Sequence, residues 1–342
     1  MTEIICEIGK NFIVTEHGDE FELARVFTMI DIAKECGITT VKFQIHDVKD
    51  EIHPNTNLVS PHFNKGRFDW IERNTYPVEF WWRIKEYCRE HDVEFLATPM
   101  SKNAAMMLNE DLGVDRWKIG SGDILDFVML DYIRDTGKPV ILSSGMSSFE
   151  ELQKAYDYLT EKTKDITILH CVSIYPCPLE SLNLATIPFL QKKFPKAQIG
   201  FSDHSVTVEG SLMAVSLGAK VIEKHFTMDR NSWGPDHKVS LMPHEMRLLV
   251  EKIRANDLIE PSAEAYGVVT KTLQQGEMGF RPVFRKGLYA ARSIKKGELF
   301  EPDSFYAMRP KLPEAMPSEQ YPEIVGRVAL RDYAEYDIIE NT

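Results

Sequence analysis

From residue 3 to about residue 255 the chain alternates between short apolar, β-branched runs and amphipathic stretches. The runs EIICEIG, TTVKFQ, VEFLATP, RWKIGSG, PVILSSG, ITILHCV, QIGFSD and KVIEKHF begin near residues 3, 39, 93, 116, 139, 166, 197 and 220. Each is short enough, and sufficiently bounded by turn residues, to read as a buried strand. Helical periodicity covers 21–36, 78–91, 102–112, 149–159, 185–194 and 208–217, with a last helix over 244–255. Successive strand starts lie 36, 54, 23, 23, 27, 31 and 23 residues apart. Eight strand–helix units of this kind close most simply into a (β/α)8 TIM barrel, so the fold class is α/β. The long second step holds a polar insert, 46–76, which on a barrel lies at the mouth. The pattern predicts a barrel domain over 1–255 and a linker over 256–283. Beyond it, five prolines and a Lys295-Lys296-Gly297-Glu298 turn predict a small, mostly β domain over 284–342.

Length and charge narrow the possibilities. The 342 residues leave a remainder of about 90 beyond a barrel of roughly 250. Forty basic against 52 acidic residues give a net charge of −12, which excludes nucleic acid and anionic membrane as partners. The second domain, with nine basic and ten acidic residues, is nearly neutral, so the acidity belongs to the barrel. Charges break every apolar run well short of the roughly 18 residues of a membrane span, and the first residues lack a basic signal region. Five cysteines, with no C-x-x-C pair, suggest neither a disulfide framework nor a zinc knuckle. A cytoplasmic location is expected.

In a barrel the chemistry sits at the C-terminal strand ends, where alternation turns every second residue inward. Those positions hold Glu7; Lys42 and Gln44; Lys118, running into Ser121, Gly122 and Asp123; Ser143; Ser173 and Tyr175; Ser202 and His204; and Glu223 and His225. A strand-end lysine is often only a barrel ion pair, and a lone histidine only a satisfied core residue. Two histidines on adjacent strands, each two residues from another polar group, instead suggest a divalent metal with open positions. Ser-Gly turns on successive strands beside two lysines suggest phosphate binding.

In chain order, Glu7-Ile8-Gly9, Lys42-Phe43-Gln44, Lys118-Ile119-Gly120-Ser121-Gly122-Asp123, Ser143-Ser144-Gly145-Met146, Tyr175-Pro176, Ser202-Asp203-His204 and Glu223-Lys224-His225 with Gly234-Pro235-Asp236-His237 resemble the motifs of the N-acetylneuraminate (sialic acid) synthase family. Ile294-Lys295-Lys296-Gly297-Glu298 and Arg309-Pro310 resemble its antifreeze-like SAF domain. The resemblance implies condensation of phosphoenolpyruvate with an N-acyl hexosamine such as N-acetylmannosamine, with release of phosphate. It implies a divalent ion, commonly manganese with magnesium or cobalt as alternatives, on His204 and His225. Catalytic roles fall to Glu7, Glu223, Lys42 and Lys118, the two carboxylates remaining unassigned between them. Substrate contacts fall to Gln44, Asn64, Ser121, Asp123, Ser143, Ser173, Tyr175, Ser202, Asp236 and Arg309. A domain-swapped homodimer is also implied, in which Arg309 reaches a neighbour's site and bonds the N-acyl group.

Some members of the family carry Glu at Asp123 and Asn at Ser173, and an aromatic residue near the site aligns here with Arg285. The second Lys-Gly turn of the SAF fold is replaced by 333–338, without glycine. A diacetamido hexose, giving a legionaminic- or pseudaminic-type acid, or a role in surface-polysaccharide assembly keeps the reaction and changes the sugar. A metal-dependent aldolase using free pyruvate would share the histidines without needing two lysines. A silent carbohydrate-binding barrel would have no use for Glu7, both lysines and both histidines together.

Overall fold

The structure, a computed structural model, describes residues 2–13, 19–55 and 66–340. Eight parallel strands form the ring: β1 (Glu3–Gly9), β2 (Thr40–Ile45), β3 (Glu94–Pro99), β4 (Trp117–Ile119), β5 (Val140–Ser143), β6 (Ile166–Cys171), β7 (Gln198–Asp203) and β8 (Val221–His225). They are hydrogen-bonded in the order β3-β2-β1-β8-β7-β6-β5-β4, and β3 lies beside β4 to close the barrel. Every strand begins at its sequence run or one residue after it.

The helices are α1 (Asp19–Glu35), α2 (Val48–Glu51), α3 (Arg67–Arg73), α4 (Val78–Glu90), α5 (Lys102–Met106), α6 (Phe127–Asp135), α7 (Phe149–Thr160), α8 (Thr186–Lys193), α9 (Glu209–Ser216) and α10 (Pro243–Ala255). Their starts follow local chemistry. Asp126 caps α6 by accepting the Met129 N–H at 3.1 Å. Ser148 and Glu151 exchange side-chain and backbone bonds in a capping box that opens α7. Helix α10 stops where Asn256 takes the left-handed conformation. Helix α6 has no counterpart in the hydrophobic pattern, because Phe127 to Leu130 are four consecutive buried apolar residues and leave no clear 3.6-residue face. The 46–76 insert, read as loop, contains α2 and α3.

Inside the ring, Ile5, Leu96, Ile141, Leu169 and Val221 form a closed apolar floor. Two residues further along the same strands stand Glu7, Thr98, Ser143, Cys171 and Glu223, all buried. The period-2 alternation therefore builds a polar layer on the apolar one, facing the mouth. On β7 the inward floor position is Gly200, where a Cβ would come within 2.4 Å of the Val221 carbonyl oxygen.

After α10 the chain does not leave the barrel. Through α11 (Ala263–Tyr266), α12 (Gln275–Met278) and α13 (Arg281–Phe284) it crosses the ends of β6, β5 and β4. Leu184 and Ala185 donate backbone N–H groups to the carbonyls of Ala265 and Tyr266, and Lys271 Nζ donates to Ser147 O at 2.8 Å. The C-terminal domain follows, with an antiparallel pair β9 (Gly287–Ala290) and β10 (Phe305–Met308) and a short helix α14 (Tyr321–Ile324). Its apolar residues, among them Leu288, Phe300, Phe305 and Tyr333, are continuous with the barrel's core, which relieves the small-core problem of a segment of about 60 residues. In the turn that lacks glycine, Tyr336 itself takes positive φ (69°), as Gly297 does in the first turn (89°).

Candidate active site

The mouth layer brings together most of the residues singled out in the sequence. Lys42 Nζ lies 2.7 Å from Glu7 Oε2 and 3.7 Å from Glu223 Oε2, and Lys118 Nζ lies 3.6 Å from the same Glu223 oxygen. Lys118 also donates to Ser143 Oγ at 2.8 Å, Lys42 to Thr98 Oγ1 at 3.1 Å, Gln44 to Glu7 Oε1 at 2.9 Å and Ser202 to Glu223 Oε1 at 3.1 Å. Gly9 is needed where β1 ends: its φ is +54°, and a Cβ there would stand 3.0 Å from Glu7 Oε1.

These environments drive the two carboxylates apart. Burial alone would push the Glu223 carboxyl up, yet Lys118 and then Lys42 hold it down to about 2. Burial raises the Glu7 carboxyl, Lys42 offsets only part of the rise, and the Glu223 charge adds to it. The surroundings thus favour the ionised form more strongly at Glu223 than at Glu7. That division was open in the sequence.

The anion-facing hydroxyls also converge. Gly145 N donates to Ser121 Oγ at 3.0 Å, and a Cβ on Gly145 would fall 2.2 Å from Ser173 Oγ and 2.7 Å from Ser121 Oγ. Only glycine allows these two serines to close on the β5 loop.

Tyr175, His204 and His225 stack along one wall, with ring centroids 4.1 Å apart for Tyr175–His204 and 5.5 Å for His204–His225. His204 Nδ1 donates to Val172 O at 2.9 Å, which leaves Nε2 as the free acceptor. His225 Nδ1 is buried and has no hydrogen-bond partner among the described residues, and burial pushes its imidazole down to about 4, keeping it neutral. Burial pushes the His204 imidazole down, but Cys171 and the bond to Val172 O raise it overall, so of the two only His225 is held neutral; once His204 gives up its proton, both imidazoles suit a first-row divalent ion. Among the described residues no group of three or more His, Cys, Asp and Glu side chains is placed to hold an ion. Asp236, half-buried, is held low against the push of burial by His225 and Lys10. Asn64 lies outside the described residues.

The rim contains a buried ion network not foreseen in the sequence. Arg309, fully buried, donates Nη2 to Asp123 Oδ1 at 2.6 Å, Nη1 to Glu51 Oε1 at 2.7 Å and Nε to Phe284 O at 3.1 Å. Lys286 Nζ bridges Asp123 (2.9 Å) and Asp126 (2.8 Å), and His46 Nδ1 meets Glu51 Oε2 at 2.6 Å. The Arg309 backbone pairs with the insert through Arg309 N to Glu51 O and His53 N to Arg309 O. Arg309 thus stands at the mouth of the barrel, reached by an unbroken run of described chain from Ala255. Three of its five N–H donors go to two carboxylates and a carbonyl. An aromatic ring does stand in this region, that of Phe284, the residue before Arg285. The Phe284 ring lies under the Arg309 and Arg67 guanidiniums, at 5.4 and 5.0 Å, and blocks any side chain at Gly122. Arg285 instead bonds Met146 O and Glu151. Glu51, Lys286 and Phe284 escaped the sequence reading because strand-end alternation says nothing about insert or linker residues.

A parallel (β/α)8 barrel with paired lysines, paired glutamates and two facing histidines at its C-terminal mouth defines an enzyme of the barrel-lyase and synthase kind. The chain matches the NeuB family over residues 29–263 and the SAF domain over 285–339. It is 33% identical to an N,N'-diacetyllegionaminic acid synthase of Campylobacter jejuni, covering 99% of this chain and 98% of that protein. It is 32% identical to the N-acetylneuraminate-9-phosphate synthase of Homo sapiens, covering 98% and 90%. The crystal structure of the spore coat polysaccharide biosynthesis protein SpsE of Bacillus subtilis superposes with a TM-score of 0.80 at 31% identity, over 99% of this chain and 94% of that one. The chain belongs to the NeuB family of sialic and related nonulosonic acid synthases and carries a C-terminal SAF domain. No helix among the described residues is long and apolar enough to cross a membrane, and the five cysteines are free.

Proposed function

We propose that this enzyme joins phosphoenolpyruvate to the open-chain aldehyde of an N-acyl hexosamine, N-acetylmannosamine giving N-acetylneuraminate, with release of inorganic phosphate. The observation that carries this reading is the buried Lys42–Lys118 pair set against Glu7 and Glu223. In a protein of net charge −12 these are the cations able to draw a doubly anionic substrate into the barrel. In the reaction C3 of phosphoenolpyruvate bonds the aldehyde carbon, the aldehyde oxygen takes a proton, water adds at C2, and phosphate leaves with the C2–O bond. Lys42, Lys118, Ser121, Ser143, Ser173 and Ser202 bind the phosphate and carboxylate. Ionised Glu223 faces the positive charge developing at C2, and Glu7, with its raised pKa, takes the proton of the attacking water. Gln44, Asp123, Tyr175, Asp236 and Arg309 address the sugar. A divalent ion on His204 and His225, manganese first and magnesium or cobalt otherwise, would supply Lewis-acid polarisation of the aldehyde oxygen when bound.

The acceptor is the open variable, because similar proteins are named for legionaminic acid and for N-acetylneuraminate 9-phosphate. A panel of N-acyl hexosamines, mono- and diacetamido, assayed for phosphate release from phosphoenolpyruvate tests the reading. Release that requires an N-acyl sugar is expected; turnover with free pyruvate instead would make the enzyme an aldolase, and no release with any sugar would sink the proposal.

Arg309→Ala is expected to act on both the rim and the sugar. Removing it takes one buried partner each from Glu51 and Asp123, which keep His46 and Lys286, a loss of at most about 3–5 kcal/mol. The Michaelis constant for the sugar should rise about tenfold, the worth of one charge-assisted hydrogen bond of roughly 1.5–3 kcal/mol, and that for phosphoenolpyruvate much less. Thermal melts and two-substrate kinetics check the two parts separately.

A further inference from the structure

The linker carries a buried carboxylate that the reaction above does not use. Glu277, at 0% exposure, sends Oε1 to two backbone N–H groups, those of Met146 and Ser173, both at 2.8 Å. Its Oε2 accepts the N–H of Gln274 at 3.0 Å. Met146 and Ser173 follow β5 and β6, the strands whose ends present Ser143 and Cys171. Met146 has positive φ (52°), an uncommon conformation for a side chain of its size, and its peptide is held on both sides. Its carbonyl accepts Arg281 Nη1 at 2.6 Å and Arg285 Nη2 at 3.0 Å, and both arginines are paired with Glu151. Between Ser143 and Met146 lies Gly145, whose N–H meets Ser121 and whose Cα is where Ser121 and Ser173 close in.

A loop of this kind ordinarily turns its free N–H groups toward an anion. Here a carboxylate from the linker takes two of them. The consequence is geometric: with Met146 N and Ser173 N tied to one oxygen atom, the two loops cannot move apart, and the hydroxyls between them keep a single separation. We propose that Glu277 is a positioning residue for the phosphate subsite, fixing the β5 and β6 loops through one oxygen so that Ser121, Ser143 and Ser173 present their hydroxyls to the same anion. This rests on the reading of the mouth as a phosphoenolpyruvate site. The linker is then part of that site and not only a tether for the SAF domain.

The test compares Glu277→Ala with Glu277→Gln in the full-length enzyme. Glutamine keeps one carbonyl oxygen able to accept both N–H groups and loses only the bond from Gln274 N, so its Michaelis constant for phosphoenolpyruvate should stay close to wild type. Alanine should raise the Michaelis constant for phosphoenolpyruvate by about tenfold or more, leave that for the N-acyl sugar within about twofold, and weaken competitive inhibition by inorganic phosphate in parallel. If the alanine variant does not fold, Glu277→Asp, one methylene short of the two N–H groups, is read by the same criteria. A rise in both Michaelis constants alike, or a stability loss with unchanged phosphate affinity, would overturn the proposal and leave Glu277 a simple tie between linker and barrel. Calorimetric titration of each variant with inorganic phosphate keeps the two readings apart. Absence of phosphate release with every sugar defeats the proposed reaction, while a phosphate affinity that falls in Glu277→Ala and returns in Glu277→Gln still supports the clamp. Wild-type enzyme that binds no phosphate at all would defeat the clamp.

Discussion

Lys118→Met is expected to lower kcat/KM for phosphoenolpyruvate by about a thousandfold, roughly 4 kcal/mol of transition-state stabilisation. The magnitude follows from where the ammonium sits. Lys118 is buried, donates to Ser143 Oγ at 2.8 Å and stands 3.6 Å from Glu223, so both a hydroxyl and a carboxylate of the mouth are oriented by it. Methionine fills similar volume and removes only the charge and the donors. A second consequence appears in the pH dependence of stability. Glu223 is depressed to about 2, first among the lowering influences being Lys118. A depressed carboxylate contributes stability that is present above its unfolded pKa of about 4.3 and lost as pH falls through the folded value. Without Lys118 the folded pKa rises, and that loss begins at higher pH. Melting temperatures of the two proteins between about pH 7 and pH 2 should therefore differ by an amount that changes mainly below about pH 5. A variant with wild-type kcat/KM would remove Lys118 from the substrate site and return it to the barrel ion pairs.

The barrel was legible because its signal is repeated: eight β-branched runs, each followed by a helix, leave few other ways to close a sheet. The polar layer was legible for the same reason, since Glu7, Ser143 and Glu223 each lie two residues beyond a floor residue on their strand. What remained hidden depends on contacts between distant parts of the chain. Arg309 and Glu51 are 258 residues apart, and Glu277 and Met146 are 131 apart, so no local period or cap announces either pair. The different surroundings of Glu7 and Glu223 were hidden for another reason. Both are buried glutamates on neighbouring strands, and only the count of ammonium groups beside each, Lys42 for the first and Lys42 with Lys118 for the second, distinguishes them.

His225→Ala should abolish turnover, by at least about a thousandfold if a Lewis acid carries part of the barrier. It should also remove the response of the protein to manganese. The argument starts from hydrogen bonds. A core histidine ordinarily ties at least one ring nitrogen, as His170 on β6 does by donating Nε2 to Leu182 O at 2.8 Å, although its buried Nδ1 is left without a hydrogen-bond partner among the described residues. His225 has a buried Nδ1 without a hydrogen-bond partner among the described residues, next to a His204 whose Nδ1 is tied to Val172 O. If the two imidazoles hold manganese, the folded protein gains about 2.7 kcal/mol when free metal is a hundredfold above the dissociation constant. The wild-type melting temperature should then rise with added manganese, and that of His225→Ala should not, although its far-ultraviolet circular dichroism stays that of the wild type. Since the melt is read without substrate, the result does not depend on which sugar the enzyme uses. An equal rise in both proteins would place the ion elsewhere and return His225 to the wall of the barrel, as a packing partner of Tyr175 and His204.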